Sequence, residues 1–211
     1  HSEEAMNRAL VALAGLATIF VLTFSVSRGS AQEAEANYVG DSVCKKCHFK
    51  QHRYWKKTGL AKAMDSLKPT AEADDKDLFA AKKAAKLDPA KDYSTDASCL
   101  ACHTTGYGKP GGYPVNPAAS DEAKAAAESM GKISCEACHG AGSLYVEHKN
   151  KALEADKEAK FTFDGLSKVG LSQPDEANCK TCHNDQNPAN ATSTFKFDDA
   201  KGAVHSKKKK K

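Results

Sequence analysis

Hydrophobic positions in this chain form one long run near the start and, beyond it, short patches broken by charge. The run is Ala9 to Phe24, ALVALAGLATIFVLTF, preceded by Arg8 and followed by small residues at Gly29 and Ala31. Basic, apolar and small-residue parts in that order predict an export signal over residues 1–31. HSEEA ahead of Met6 reads as upstream or non-native sequence, residues 1–5. An uncleaved anchor is the alternative, although the run is slightly short of a membrane span.

After the run the periodicity is helical wherever it is regular. Residues 70–87, TAEADDKDLFAAKKAAKL, carry acids early and lysines late and stop before Asp88-Pro89, which predicts a helix. Ser120 is placed to cap an alanine-rich helix ending at Gly131. Residues 143–160 read as a helix in which Leu144, His148 and Ala152 form one stripe, expected to point His148 inward. Residues 104–117 and 184–197 are rich in Gly, Pro and Asn and read as loops, with at most a short strand at 194–197. The expected fold is mainly α: short helices and long loops, with little β structure. The expected domains are 1–31 as signal, 32–206 as one cofactor-binding unit and 207–211 as a lysine tail.

Chemistry enters through the cysteines. All eight fall in four copies of C-x-x-C-H: Cys44, Cys47 and His48; Cys99, Cys102 and His103; Cys135, Cys138 and His139; Cys179, Cys182 and His183. This is the attachment signature of c-type haem. On a helical turn, cysteines at i and i+3 share a face and reach two vinyl groups of one porphyrin, while the next residue brings an imidazole under the iron. A single C-x-x-C also serves zinc and redox sites; four copies ending in histidine, with no cysteine to spare, predict four covalent haems.

That cofactor load changes the reading of composition. With residues 1–31 removed, roughly 45 residues remain per porphyrin, so the core is expected to be largely cofactor. The chain carries a formal +4, and eight ionised propionates would take the holoprotein to about −4. Lys207 to Lys211 concentrate positive charge in a tail, read as solvated or as a contact with an acidic partner or anionic membrane surface. Beyond that tail, nothing in the sequence points to nucleic acid.

Four irons need ligands on their second faces. The distal candidates are His148, His205 and His52, so at least one iron is left open unless Met, Lys or a neighbouring subunit contributes; axial ligation separates electron transfer from ligand binding. His52 lies at i+4 from His48 on the same helical face and can serve only an adjacent haem or a propionate. Trp55 reads as an aromatic packed on porphyrin, and Met64 as core packing rather than a thioether ligand.

CKKCH with Trp55 and AKAMDSLKP, AKLDPAKDY running into CLACHTTGYGKPGGY, and CEACHGAG with His148 beyond it closely resemble the tetrahaem cytochrome c-554 family of ammonia-oxidising bacteria, over about residues 41–148. The resemblance implies a helical periplasmic protein with stacked haem pairs. It also implies a hydroxylamine oxidoreductase-like electron donor and a membrane cytochrome as acceptor. It implies three bis-histidine haems and an open iron on His103, with His148 as distal ligand of the first haem. The chain departs from the family at the third haem, where Leu60 stands in place of a histidine, and before the fourth motif, where SQPDEAN holds none. Two assignments follow: His52 and His205 replace the lost ligands, which is preferred, or His205 alone does.

The leading functional reading is a periplasmic or extracellular electron carrier. The alternatives are a haem enzyme reducing nitric oxide or a related nitrogen oxide at the iron on His103, beneath residues 104–114, and a subunit of an extracellular cytochrome filament.

Overall fold

A computed structural model describes residues 35–188, 195–200 and 202–205. Among them lie ten α-helices and no strand. The helices are α1 (Asp41–Lys45), α2 (Phe49–Trp55), α3 (Lys76–Ala84), α4 (Ala97–His103), α5 (Asp121–Met130), α6 (Cys135–His139), α7 (Ser143–Ala155), α8 (Phe163–Ser167), α9 (Glu176–Lys180) and α10 (Phe197–Ala200). Two 3₁₀ turns, Gly59–Lys62 and Asp65–Leu67, follow α2. The proposed signal over 1–31 and the lysine tail over 207–211 lie outside the described residues. No described helix is long and apolar enough to cross a membrane.

Helices this short are marginal alone, and their starts are fixed by local caps. Side chains of Asp75, Asp96, Ser120, Thr162 and Asp175 accept the backbone N–H of Leu78, Ser98, Ala123, Gly165 and Asn178 at the starts of α3, α4, α5, α8 and α9. Each satisfies a donor that the first turn leaves open.

The caps also move boundaries from where periodicity put them. The helix expected over 70–87 is Lys76–Ala84, because Asp75 is the cap and Thr70 instead donates its N–H to Pro89 at 2.8 Å. The helix expected over 143–160 ends at Ala155, where Asp156 turns extended and its carboxylate accepts from Glu158 N–H at 2.9 Å. At the expected strand, Thr194 is not described and Phe197 instead opens α10.

The protein core is small. Leu67, Tyr93, Leu100, Tyr113 and Met130 cluster, with Tyr38, Met64, Leu87 and Tyr107 packed at its edge. Met64 thus takes the packing role read for it. The loop after α4 is tied into this core through Thr105, which is fully buried. Its hydroxyl donates to Lys132 carbonyl oxygen at 2.6 Å and accepts Ser134 N–H at 2.8 Å, so the loop braces the approach to α6.

Candidate haem-binding sites

The four C-x-x-C-H segments adopt the same helical turn. His48 N–H reaches Cys44 carbonyl oxygen at 2.9 Å, and His183 N–H reaches Cys179 at 3.0 Å. The second and third copies lie wholly within α4 and α6. Each turn therefore presents both sulfurs and the following imidazole together. All eight cysteines are free of disulfides. Among the described residues no three His, Cys, Asp or Glu side chains converge as a metal cluster, unlike the closed ligand set of a structural zinc site.

Two of the motif histidines are held by the ring nitrogen remote from the expected iron. Nδ1 of His103 donates to Ala63 carbonyl oxygen at 2.7 Å, and Nδ1 of His139 to Ser172 carbonyl oxygen at 3.0 Å. That leaves Nε2 with its lone pair, the tautomer and orientation that an axial imidazole requires. Nε2 of His48 lies 3.0 Å from the Tyr145 hydroxyl on α7. Burial, the Lys149 ammonium and His139 all push His48 towards the neutral imidazole. His183 stacks on Phe195 with ring centres 4.2 Å apart, at a cavity of about 710 Å³ also lined by Lys180 and Phe197.

The three distal candidates occupy different settings. The ring of His205 lies 6.0 Å from that of His139, centre to centre, with the planes 16° apart. Two imidazoles flanking one metal ion, each at a metal–nitrogen distance of about 2 Å, need nearly this separation once the ring radii are added. Burial and the two neighbouring imidazoles, His139 and His48, lower the pKa of His205.

His148 does not point into a protein core. It is exposed on α7, a helix without a buried residue, and meets Phe161 edge-on at 6.3 Å. Glu147, Lys149, Asn150 and Lys151 crowd the same stretch, so the stripe is too narrow to sink into protein. His148 follows Tyr145 by one helical turn, and Tyr145 touches His48.

His52 is buried, and its Nε2 is 2.7 Å from Asp41 Oδ2. The other Asp41 oxygen binds Lys132 Nζ at 3.2 Å. Trp55 tilts against His52 and donates its indole N–H to Ile133 carbonyl oxygen at 2.8 Å. The neighbours of both residues here are thus protein groups. Leu60, where the family resemblance leads one to expect a histidine, accepts Ile133 N–H at 3.0 Å through its carbonyl oxygen.

Sequence reasoning missed Glu136, which sits between the cysteines of the third motif. Only 3% exposed, its carboxylate accepts the N–H groups of Val39, Gly40 and Gly142 at 2.9, 2.7 and 2.8 Å. It thereby seats α1 on α6, bringing the first and third motifs side by side. The residue fills one of the unspecified positions of the motif, so no local signal distinguishes it.

The thiols record the same adjacency. The Cys44 thiol is hydrogen-bonded to Cys135, which with burial raises its pKa. Cys102 is pushed up to about 11 by burial, with Cys182 close beside it. Burial and the neighbouring Cys179 and Cys182 push Cys138 up to about 11 as well. The first motif therefore lies beside the third, and the fourth lies near both the third and the second.

A family model described as cytochrome c554 and c-prime matches residues 43–140. The chain is 35% identical to cytochrome c-554 of Nitrosomonas europaea over 162 residues, 76% of this chain and 63% of that protein, so the match spans less than two thirds of the relative's length. The solved reduced state of cytochrome c554 from Nitrosomonas europaea superposes with a TM-score of 0.64 at 34% identity, over 79% of this chain and 82% of that one. The chain belongs to the cytochrome c554 family.

As a cytochrome c554 family member it is a multihaem c-type cytochrome, and haem iron is its cofactor. Its residues fit that group: four helical turns present paired free thiols, and His103 and His139 hold Nε2 open. The first three motifs fall inside the matched family range, whereas the fourth lies beyond it.

Proposed function

We propose that this chain is an exported, periplasmic tetrahaem electron carrier that takes electrons from one redox protein and passes them to another. A donor like hydroxylamine oxidoreductase and a membrane-linked cytochrome acceptor are the partners its family likeness suggests. The observation that carries this reading is the contiguity of the attachment turns: Cys44 beside Cys135, Cys138 near Cys179 and Cys182, and Cys102 beside Cys182. Porphyrins anchored on adjacent turns would lie close enough to relay electrons along the molecule. When bound, c-type haem supplies a one-electron ferric–ferrous couple. The chain's own residues fix the imidazoles of His103 and His139 through Nδ1 and would hold the haems on neighbouring turns.

In this reading His139 and His205 would together hold one haem iron, and His48 and His148 another. His52 is a structural residue paired to Asp41. The His139–His205 separation supports the first assignment; the position of His148 one turn beyond Tyr145 supports the second. Two imidazoles on one iron would keep it low-spin in both oxidation states, so little would rearrange as an electron moves.

Reductive titration of the purified holoprotein tests the reading. Uptake of four electrons per chain, with exchange among haems faster than exchange with mediators, is expected. Haems that reduce independently, without exchanging electrons within one molecule, would overturn it.

A further inference from the structure

The first motif and α2 carry a face that the haem sites do not use. Residues 42–64 contain no Asp or Glu. Lys45, Lys46, Lys50, Arg53, Lys56 and Lys57 are all exposed, and Phe49 among them is 66% exposed. Among the described residues none of these six cations has a carboxylate partner, whereas Lys68, Lys132, Lys151 and Lys180 do. Only the opposite face of α2, through His52 and Trp55, is buried. The nearest acid in sequence, Asp41, is already taken by His52 and Lys132. Cys47, a thioether anchor of the first haem, is itself exposed between Lys46 and His48. Charge and cofactor edge therefore meet at one surface.

We infer that this cationic face, with Phe49 within it, is the docking surface for an acidic redox protein and brings that partner to the edge of the first haem. The inference rests on the electron-carrier reading. An apolar contact within a charged rim suits a small, transient interface, and complementary charge raises encounter rate and aligns the partners. An anionic membrane is the poorer fit, because one apolar side chain among six cations offers little area to insert into a bilayer. The whole holoprotein carries about −4. A uniformly spread charge of that sign would repel an acidic partner, so the inference gives the opposite salt dependence from net charge.

The test uses oxidised holoprotein and two one-electron reductants. One is the acidic protein flavodoxin in its hydroquinone form, which becomes semiquinone as a ferric haem becomes ferrous. The other is the hexaammineruthenium(II) cation, oxidised to ruthenium(III) in the same step. The variant Lys50→Glu/Arg53→Glu/Lys57→Glu is compared with Lys76→Glu/Lys83→Glu/Lys124→Glu, which changes net charge equally on exposed positions of α3 and α5. Unchanged Soret and paramagnetic resonance spectra certify the haem sites of both. The expected result is a fall of about tenfold or more in the flavodoxin rate for the first variant alone at low ionic strength. Ruthenium is expected to react faster with that variant, and added salt to slow flavodoxin with wild type. Equal slowing by both variants, or none by either, overturns the docking face while leaving the carrier reading standing. Failure of wild type to accept electrons from either reductant overturns the carrier reading itself. Binding to phosphatidylserine vesicles that is lost only in the first variant, with flavodoxin rates unchanged, overturns the protein partner in favour of a membrane.

Discussion

The N–H of Gly40 donates a 2.7 Å hydrogen bond to the buried carboxylate of Glu136, 96 residues away. With Val39 and Gly142 also donating to it, this one side chain joins the entry to the first haem motif, the third motif and the start of α7. The adjacency of the first and third attachment turns therefore depends on one buried carboxylate.

Replacing Glu136 by Ala leaves three backbone donors without their acceptor in a buried site. The expected loss is about 3 kcal/mol, read as a lower denaturation midpoint of the holoprotein. Glu136→Gln keeps one acceptor oxygen and should fall between.

His52 and His205 separate in one spectroscopic experiment. In low-temperature paramagnetic resonance of the oxidised protein, His205→Ala is expected to gain a high-spin ferric signal and His52→Ala is not. His52→Ala instead loses about 1–3 kcal/mol, because the half-buried Asp41 is left with one partner fewer. A high-spin signal growing in His52→Ala would make that histidine a ligand.

Asp41 sets an acid limit on stability. Burial alone would raise its pKa, but the hydrogen bonds from His52 and Lys132 outweigh it and leave the carboxyl below the ordinary range. With the folded value below the unfolded one, the stabilisation is fully present above the unfolded value and is lost as pH falls through the folded value. The expected decline therefore begins near pH 4 and continues below it. Asp41→Asn should lack that portion of the acid limb in thermal unfolding followed from pH 7 to pH 2.

Gly112 tests the loop that braces α6. A Cβ there would run into the carbonyl of Gly106, and the close approach is what lets Tyr113 N–H reach Thr105 at 2.9 Å. Gly112→Ala should cost about 2–4 kcal/mol, measured by urea denaturation.

Much of this was legible in the sequence. Ser120 and Gly131 bracket α5 as expected, and the mainly helical fold agrees with the solved relative. The start of α3 and the end of α7 were misplaced because helix-forming composition runs past both, while Asp75 and Asp156 leave the helical backbone there. His148 lies on the stripe that periodicity marks, yet no protein side chain buries it, because periodicity shows that a face exists without showing what covers it.

The sequence by itself determined the cofactor. Attachment needs only groups within one helical turn, and C-x-x-C-H carries all of them in five consecutive residues. Tertiary structure alone decided which motifs are neighbours and what His52 contacts. Gly40 and Glu136 are 96 residues apart, Tyr145 and His48 are 97 apart, and the bond to Asp41 depends on how α2 folds back on α1. Hydrogen bonds of a few ångströms between distant segments are set by the path of the backbone, which local residue spacing does not encode.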